Sequence, residues 1–377
     1  PPTTDKYTLS LHDALPIWDT LLKPVQAVVG VVERRQTMPI LANVLLTVSD
    51  KTLSVTATDL EVELVAEAEV DVKEKGEVTV PARKLLDICR SLPEGAKISL
   101  SLERERVTLK SGRSRFLLAT LPASEFPAVE DIKTQRSVNL PQKKLRELIE
   151  QTHFSMAQQD VRYYLNGLLF ELSAKRVRAV ATDGHRLAMC DLDADVADLP
   201  AQQVIVPRKG VLELQRLLTD GEEPAKLSLG TNHIRVELPG LRFTSKLIDG
   251  RFPDYERVVP KGGDKDIIAD RQVLRDALGR TAILSNEKYR GVRLQLAPNR
   301  LKVMAHNPEQ EEAEDEVEVQ YKGIELEIGF NVSYLMDALS ALNTEQVRIT
   351  LTDSNSSCLI RHPENETCRY VVMPMRL

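Results

Sequence analysis

The chain has 377 residues, enough for two or three domains of roughly 100–200 residues, each able to bury its own core. Its 50 Lys and Arg against 56 Asp and Glu leave a net charge of −6, which argues against a uniformly basic nucleic-acid-binding domain, and 4% aromatics weigh against a stacking platform for single strands. A hydrophobic fraction of 42% excludes a disordered chain, and no apolar run approaches the roughly 20 residues of a membrane span.

Residues 1–18 carry no basic region followed by an apolar stretch, so no export signal is read there, and a reduced cytoplasm is the expected location. Helical spacing begins at 20–35 (TLLKPVQAVVGVVERR), and two alternating strands around a polar turn follow at 43–59. A short amphipathic helix at 80–92 and an alternating strand at 115–122 come next. The Pro- and charge-rich stretch 124–137 reads as a linker rather than core. The same order returns: a helix at 142–154, two strands at 167–183, a helix at 206–218, a strand at 242–249 and a linker at 251–266. It returns again with a helix at 271–283, strands at 291–307, a helix at 330–342 and a final strand at 370–377.

Thr58-Asp59, Thr182-Asp183 and His306-Asn307 end equivalent strands at intervals of 124 and 124 residues. Four element types recurring in one order at one period predict three similar α+β domains of about 125 residues. Their expected bounds are 1–133, 138–256 and 265–377.

The charge is unevenly placed. The six helical stretches 20–35, 81–92, 142–150, 207–218, 271–281 and 331–342 hold fifteen bases and seven acids, a surplus of eight, and leave the rest of the chain at −14. If those helices share a surface, that surface attracts phosphates without reading bases, while the acidic remainder repels DNA. No recognition helix, zinc module or RNA-binding signature is present. The four cysteines, Cys89, Cys190, Cys358 and Cys368, lack metal-ligand spacing. They are expected to be unpaired thiols, although Cys358 and Cys368 could in principle pair. No metal or other cofactor is expected. His185, in a Thr-Asp-Gly-His run, has no nucleophile or second ligand at useful spacing, so a polar wall or a plain turn histidine is favoured over catalysis.

TDGHRLA (182–188), VIVPRKG (204–210), SKLIDGRFPDY (245–255), AILSNEKYRGVRL (282–294), NPEQEEAE (307–314), IGFNVSYL (328–335) and YVVMPMRL (370–377) resemble the bacterial DNA polymerase III β subunit family, the sliding clamps, from about Leu21 to Leu377. The resemblance implies three clamp domains, each with helices packed on antiparallel sheets, in a head-to-tail homodimeric ring. It implies non-specific encirclement of double-stranded DNA, a clamp loader, and tethering of the replicative polymerase and other clients, with no catalysis and no membrane partner.

It also implies site residues. A partner-peptide cleft would comprise Leu165, Thr182, Gly184, His185, Arg186, Leu187, Pro253, Arg257 and Val258 with Val371, Val372, Met373, Pro374, Met375, Arg376 and Leu377. DNA contacts would be Arg35, Gln159, Tyr163, Tyr164, Arg208 and Lys209; hydrophobic packing is the alternative reading of the two tyrosines. The dimer joint would set Lys84, Ile88, Arg106, Phe116 and Leu118 against Ile283, Leu284 and the acidic run Glu309, Glu311, Glu312, Glu314 and Asp315. Residues 1–18 depart from the family pattern: Pro16 stands where an opening strand should run, so this stretch is expected to be a foreign leader, with residues 1–12 weakly packed.

Overall fold

A computed structural model describes residues 17–32, 38–70, 75–103, 105–127, 133–195 and 200–376. Arg35, Leu377 and residues 1–12 lie outside the described residues.

The first repeat runs α1 (Ile17–Val28), β1 (Asn43–Ser49), β2 (Thr52–Thr58), β3 (Val62–Glu69), β4 (Gly76–Pro81), α2 (Ala82–Ser91), β5 (Ser99–Glu103), β6 (Arg106–Ser111) and β7 (Ser114–Ala119). The second runs β8 (Arg136–Pro141), α3 (Gln142–Glu150), β9 (Gly167–Ser173), β10 (Arg176–Thr182), β11 (Arg186–Asp193), β12 (Gln202–Pro207), α4 (Arg208–Leu217), β13 (Pro224–Leu229), β14 (His233–Leu238) and β15 (Leu241–Lys246). The third runs β16 (Lys265–Asp270), α5 (Arg271–Thr281), β17 (Gly291–Ala297), β18 (Arg300–His306), β19 (Glu312–Glu318), β20 (Leu326–Asn331), α6 (Val332–Ala341), β21 (Gln346–Leu351), β22 (Cys358–Arg361) and β23 (Cys368–Val372).

The local causes are visible in the residues. In α2, Ala82, Leu85, Leu86 and Cys89 recur at helical spacing and are all buried. Asp270 caps α5 by accepting from the Val273 amide, and Asn331 caps α6 by accepting from Ser333 and Tyr334. In β1 and β2, Val44, Leu46 and Val48 and then Leu53, Val55 and Ala57 point to the core at every second position.

The sheets do not follow the repeats. One antiparallel sheet has the order β4-β1-β2-β3-β15-β14-β13-β8, so strands of the first and second repeats join at β3–β15, with Leu64 opposite Phe243. Another has the order β12-β9-β10-β11-β23-β22-β21-β16 and joins the second and third repeats at β11–β23, with Leu187 opposite Val371. Two shorter sheets remain, β5-β6-β7 and β19-β18-β17-β20. The chain accordingly packs as two bodies: the described residues up to Gln142 with Leu212–Leu247, and Lys143–Val211 with the described residues from Ile248 on.

Several expectations are corrected. Helix α1 includes Trp18, whose indole donates to the Cys89 carbonyl at 2.7 Å, so the expected leader overlaps the first helix. That helix ends at Val28 and tightens into a 3₁₀ turn over Val29–Val31. The strand expected at 370–377 stops at Val372, just before Pro374, which cannot donate to a ladder. The stretch 251–266 is not only a linker, because Phe252 and Tyr255 are buried in the core. Cys190 and Cys368 form a disulfide where unpaired thiols were expected: β11–β23 pairing sets them directly opposite, across a sequence separation of 178. Cys89 and Cys358 are free and buried, and burial pushes each thiol up to about 12.

Candidate functional site

Strand register brings several of the expected cleft residues together. Thr182, Leu187, Val371 and Leu359 stand directly opposite one another across β10, β11, β23 and β22. Leu187, Val371 and Leu359 belong to a buried apolar cluster with Leu169, Val180, Met189, Ile205, Phe252 and Tyr255. Tyr164, Ile248, Val258 and Val259 pack on its margin. Among the predicted cleft residues, Leu187, Val371 and Val258 are thereby gathered on one patch. Leu165 and Val372 are buried; Pro253, Arg257, Met373 and Arg376 are exposed, and Pro374 and Met375 are half-buried. Leu359, Phe252 and Ile248 were missed; the Phe252–Tyr255 pair, three residues apart beside Pro253, was the available signal.

The Thr-Asp turn is built by its own side chains. Thr182 Oγ1 accepts from the Gly184 amide at 3.1 Å and donates to the Arg186 carbonyl at 2.6 Å. Asp183 accepts from the amides of His185 and Arg186. Gly184 has φ +90°, a conformation that favours glycine, while the nearest atoms to a Cβ there belong to the Arg162 guanidinium at 3.0 Å, which can give way. The first repeat makes the same turn: Thr58 accepts from Leu60, and Asp59 from Glu61 and Val62. The counterpart of His185 there is Glu61, so the motif serves the turn rather than any reaction. The exposed His185 accepts the Met373 amide on its carbonyl at 2.9 Å, and Met375 donates to the Gly329 carbonyl at 2.9 Å. These two bonds lay the chain end over the turn.

Arg186 is a tether rather than a free cleft-edge group. Its guanidinium reaches Asp337 of α6 at 2.5 Å, the Phe154 carbonyl at 2.7 Å and Asp183 at 3.1 Å. It also stacks over the Tyr334 ring, 4.5 Å from the centroid. Beneath the cluster, Arg178 pairs with Asp191 and donates to Tyr255, whose hydroxyl donates to Glu171 at 3.0 Å. Burial works against the Arg178 charge, but these acceptors outweigh it and raise its pKa.

The predicted DNA contacts divide. The loop 157–166 is clamped by Asp160 and Asn166, which exchange two hydrogen bonds of 2.9 Å, and by Arg162, whose guanidinium holds the Asp160 carboxyl at about 2. The loop presents Gln159 at φ +56°, Val161 at 94% exposure and Tyr163 at 57%. Tyr164 turns inward onto the apolar cluster and stacks edge-on against Tyr163. Arg208 and Lys209 open α4 and are half-buried. The helical cations are partly engaged at home: Arg83 donates to the Val32 carbonyl, Arg216 to Ala27 and Arg271 to Thr344.

The dimer candidates also sort. Lys84, Arg106, Glu309 and Glu312 are exposed, Ile88, Phe116 and Leu284 half-buried, and Leu118 buried in its own sheet. Ile283 is 76% exposed, and the unpredicted Leu117 is 45% exposed on β7. Three acids of the run have partners within the chain: Glu311 with Asn307, Glu314 with Lys302 and Asp315 with Arg280, the last held below the usual carboxylate range by that bond. Among the described residues, no group of three or more His, Cys, Asp or Glu is placed to hold a metal, and no helix is long and apolar enough to cross a membrane.

Comparison with known proteins agrees along the length of the chain. The N-terminal, central and C-terminal domain families of the DNA polymerase III beta subunit match residues 18–130, 139–254 and 256–376. The beta sliding clamp of Pseudomonas putida is 60% identical over 360 residues, 95% of this chain and 98% of that protein. That of Escherichia coli strain K12 is 56% identical over 358 residues, with the same coverage. A crystal structure of the Pseudomonas aeruginosa sliding clamp bound to griselimycin superposes with a TM-score of 0.94 at 57% identity, covering 100% of both chains. With three clamp repeats in order and this similarity over almost its whole length, the chain belongs to the DNA polymerase III beta subunit family, the beta sliding clamps.

Proposed function

We propose that this chain is a processivity clamp: two copies close head to tail around duplex DNA, a clamp loader sets the ring in place, and the Leu187–Val371 patch holds the replicative polymerase and other clients. The observation that carries this reading is the order of the shared sheets. β3 of the first repeat pairs β15 of the second, and β11 of the second pairs β23 of the third. Their counterparts, β19 of the third repeat and β7 of the first, stand at sheet edges with no further neighbour among the described residues. Two-copy closure by β19–β7 pairing repeats the same junction, and a heterologous contact of this kind ends in a ring when its rotation closes. Exposed Ile283 and Leu117, half-buried Phe116, and opposite charges at Lys84 and Glu312 suit that joint.

Topology then supplies the mechanism. A closed ring cannot leave duplex DNA sideways, so it needs only weak, salt-screened attraction from helical cations, and it stays free to slide. A tethered polymerase rebinds at high effective concentration. No bond is made or broken, and the cytoplasm, where DNA replication proceeds in bacteria, is the expected compartment. The test is retention after loading onto nicked circular DNA, followed by linearisation. Retention on the circle with loss from the linear form is expected; equal loss from both would overturn the ring. Removing Met373–Leu377 should abolish polymerase stimulation and leave the dimer intact, and unchanged stimulation would overturn the cleft assignment.

A further inference from the structure

The disulfide lies on the same ladder as the Leu187–Val371 patch. From Cys190 opposite Cys368, three positions along β11 and β23 lead to Leu187 opposite Val371. The joint between the first and second repeats offers a comparison, because Thr58 and Thr182 end equivalent strands and stand opposite Glu63 and Leu187. Counted from there, the place of the disulfide is taken in the first joint by Ala66 opposite Leu241, and that of Leu187 and Val371 by Glu63 opposite Thr244. The joint that carries the apolar patch also carries the covalent staple, and the joint without the patch has neither cysteine.

The two sulfurs differ in access. Cys190 is fully buried, whereas Cys368 lines a cavity of 260 Å³, several times the roughly 30 Å³ that one water takes up and room enough for a small thiol. The carboxylates in the cavity wall, Glu147 and Asp191, are paired with Lys144 and with Arg178 and Arg369, so neither stands as a bare charge against an incoming thiolate. Each sulfur also has a polar group at hand for the thiol that reduction releases. Gln151 Oε1 lies 3.3 Å from Cys368 Sγ, and the Tyr370 hydroxyl 3.8 Å from Cys190 Sγ. Cys358 takes no part: it stands opposite Val372, four residues along β23 from Cys368, a run of about 13 Å.

We propose that Cys368 is a thiol–disulfide exchange site, and that the Cys190–Cys368 staple switches the stiffness of the Leu187–Val371 patch. A small thiolate enters the cavity and attacks Cys368 Sγ; the S–S bond breaks, and its electron pair leaves on the Cys190 sulfur, which takes up a proton. A second small thiolate attacks the outer sulfur of the mixed disulfide and departs as a small-molecule disulfide, freeing Cys368 as a thiolate that is protonated in turn. Two small thiols are thereby oxidised for one protein disulfide reduced. Exchange in reverse, with a small-molecule disulfide as oxidant, closes the staple again. Closed, the staple holds β23 against β11 and preorganises the patch for a partner; open, the ladder frays at that end. The effect on clients rests on the client-cleft reading; the exchange and the stiffening do not.

The test uses the full-length protein. Native Cys190→Ala, treated with the disulfide of N-acetylcysteine, should gain a stable adduct on Cys368 because the resolving sulfur is gone, whereas Cys368→Ser should gain none on buried Cys190. No adduct on Cys368, or equal adducts on both, overturns the exchange site; four free thiols in the air-equilibrated, denatured wild type overturn the staple. Amide hydrogen exchange reads the stiffness. The Asp191 amide donates to the Thr367 carbonyl at 2.8 Å and the Met373 amide to the His185 carbonyl at 2.9 Å, at the two ends of the β11–β23 ladder. Reduction of the wild type should speed exchange at both by about tenfold. Cys368→Ser should exchange at the fast rate with or without reductant, and unchanged exchange in the reduced wild type overturns the switch even if neither variant folds. Polymerase stimulation should fall about fivefold on reduction and lose that dependence in Cys368→Ser; stimulation indifferent to redox state overturns the effect on clients. Should removal of Met373–Leu377 leave stimulation unchanged, the client reading fails, while the adduct and the amide exchange still decide the switch.

Discussion

Arg186 joins elements that the sequence holds far apart: its partners Asp337 and Phe154 lie 151 and 32 residues away. Arg186→Ala would leave the Phe154 carbonyl without this donor and break the ion pairs to Asp183 and the half-exposed Asp337, and should lower stability by about 1–2 kcal/mol, read as a fall in the urea midpoint. Arg186→Lys should recover only part, because an ammonium cannot reproduce the fork. The Asp160–Arg162 pair has a defined pH signature. The folded carboxyl is depressed to about 2, so the tether is fully present above the ordinary carboxylate value of about 3.9 and is lost only as pH falls through about 2. A ¹³C titration of the Asp160 carboxyl should show that low midpoint; a value near the ordinary one would refute the clamp. Buried Cys89 and Cys358, raised to about 12, should resist a thiol reagent at neutral pH in the native protein and react after denaturation, when two thiols should be counted. At this scale the sequence was least legible. Residue types could be named, but the Cys190–Cys368 bond and the Arg348–Arg361–Arg369 row arise from register between strands that are distant along the chain.

Elements were far more legible, because helix and strand periods are local properties of the chain. The amphipathic spacing around Leu85 and Cys89 and the alternation in β1 and β2 were enough to locate those elements and their repeat. Where the reading failed, a local signal pointed the wrong way. Pro253 and its charged neighbours mark a loop, yet the backbone there turns Phe252 and Tyr255 into the core, where the Tyr255 hydroxyl meets Glu171 and Arg178. Tyr255→Phe should therefore destabilise by about 1 kcal/mol, the net worth of one buried hydrogen bond, since Glu171 keeps its bonds from Arg176 and Gln203; a double-mutant comparison with Glu171→Gln measures the pair. Gly167 shows the same dependence on pairing. A Cβ there would sit 2.5 Å from the Val206 carbonyl, so Gly167→Ala must part β9 from β12 and should lower the thermal midpoint, whereas an unchanged midpoint would contradict that contact.

For the whole molecule, the number and likeness of the repeats were readable from the 124-residue period. The candidate joint between copies makes a separate prediction. Ile283→Asp sets a charge on an exposed apolar residue at the proposed closure and should shift sedimentation from dimer toward monomer without altering the urea midpoint of the separated chain. What the period could not reveal is that packing ignores it, since each eight-stranded sheet takes strands from two successive repeats. The central repeat is therefore not a separable module. Cut out at 138–256, it would carry β11 without β23 and β15 without β3, two bare strand edges ready to pair with other chains. Gene fusion or shuffling at the sequence boundaries should yield aggregates, and evolutionary exchange of parts in this architecture has to move whole interlocked sheets.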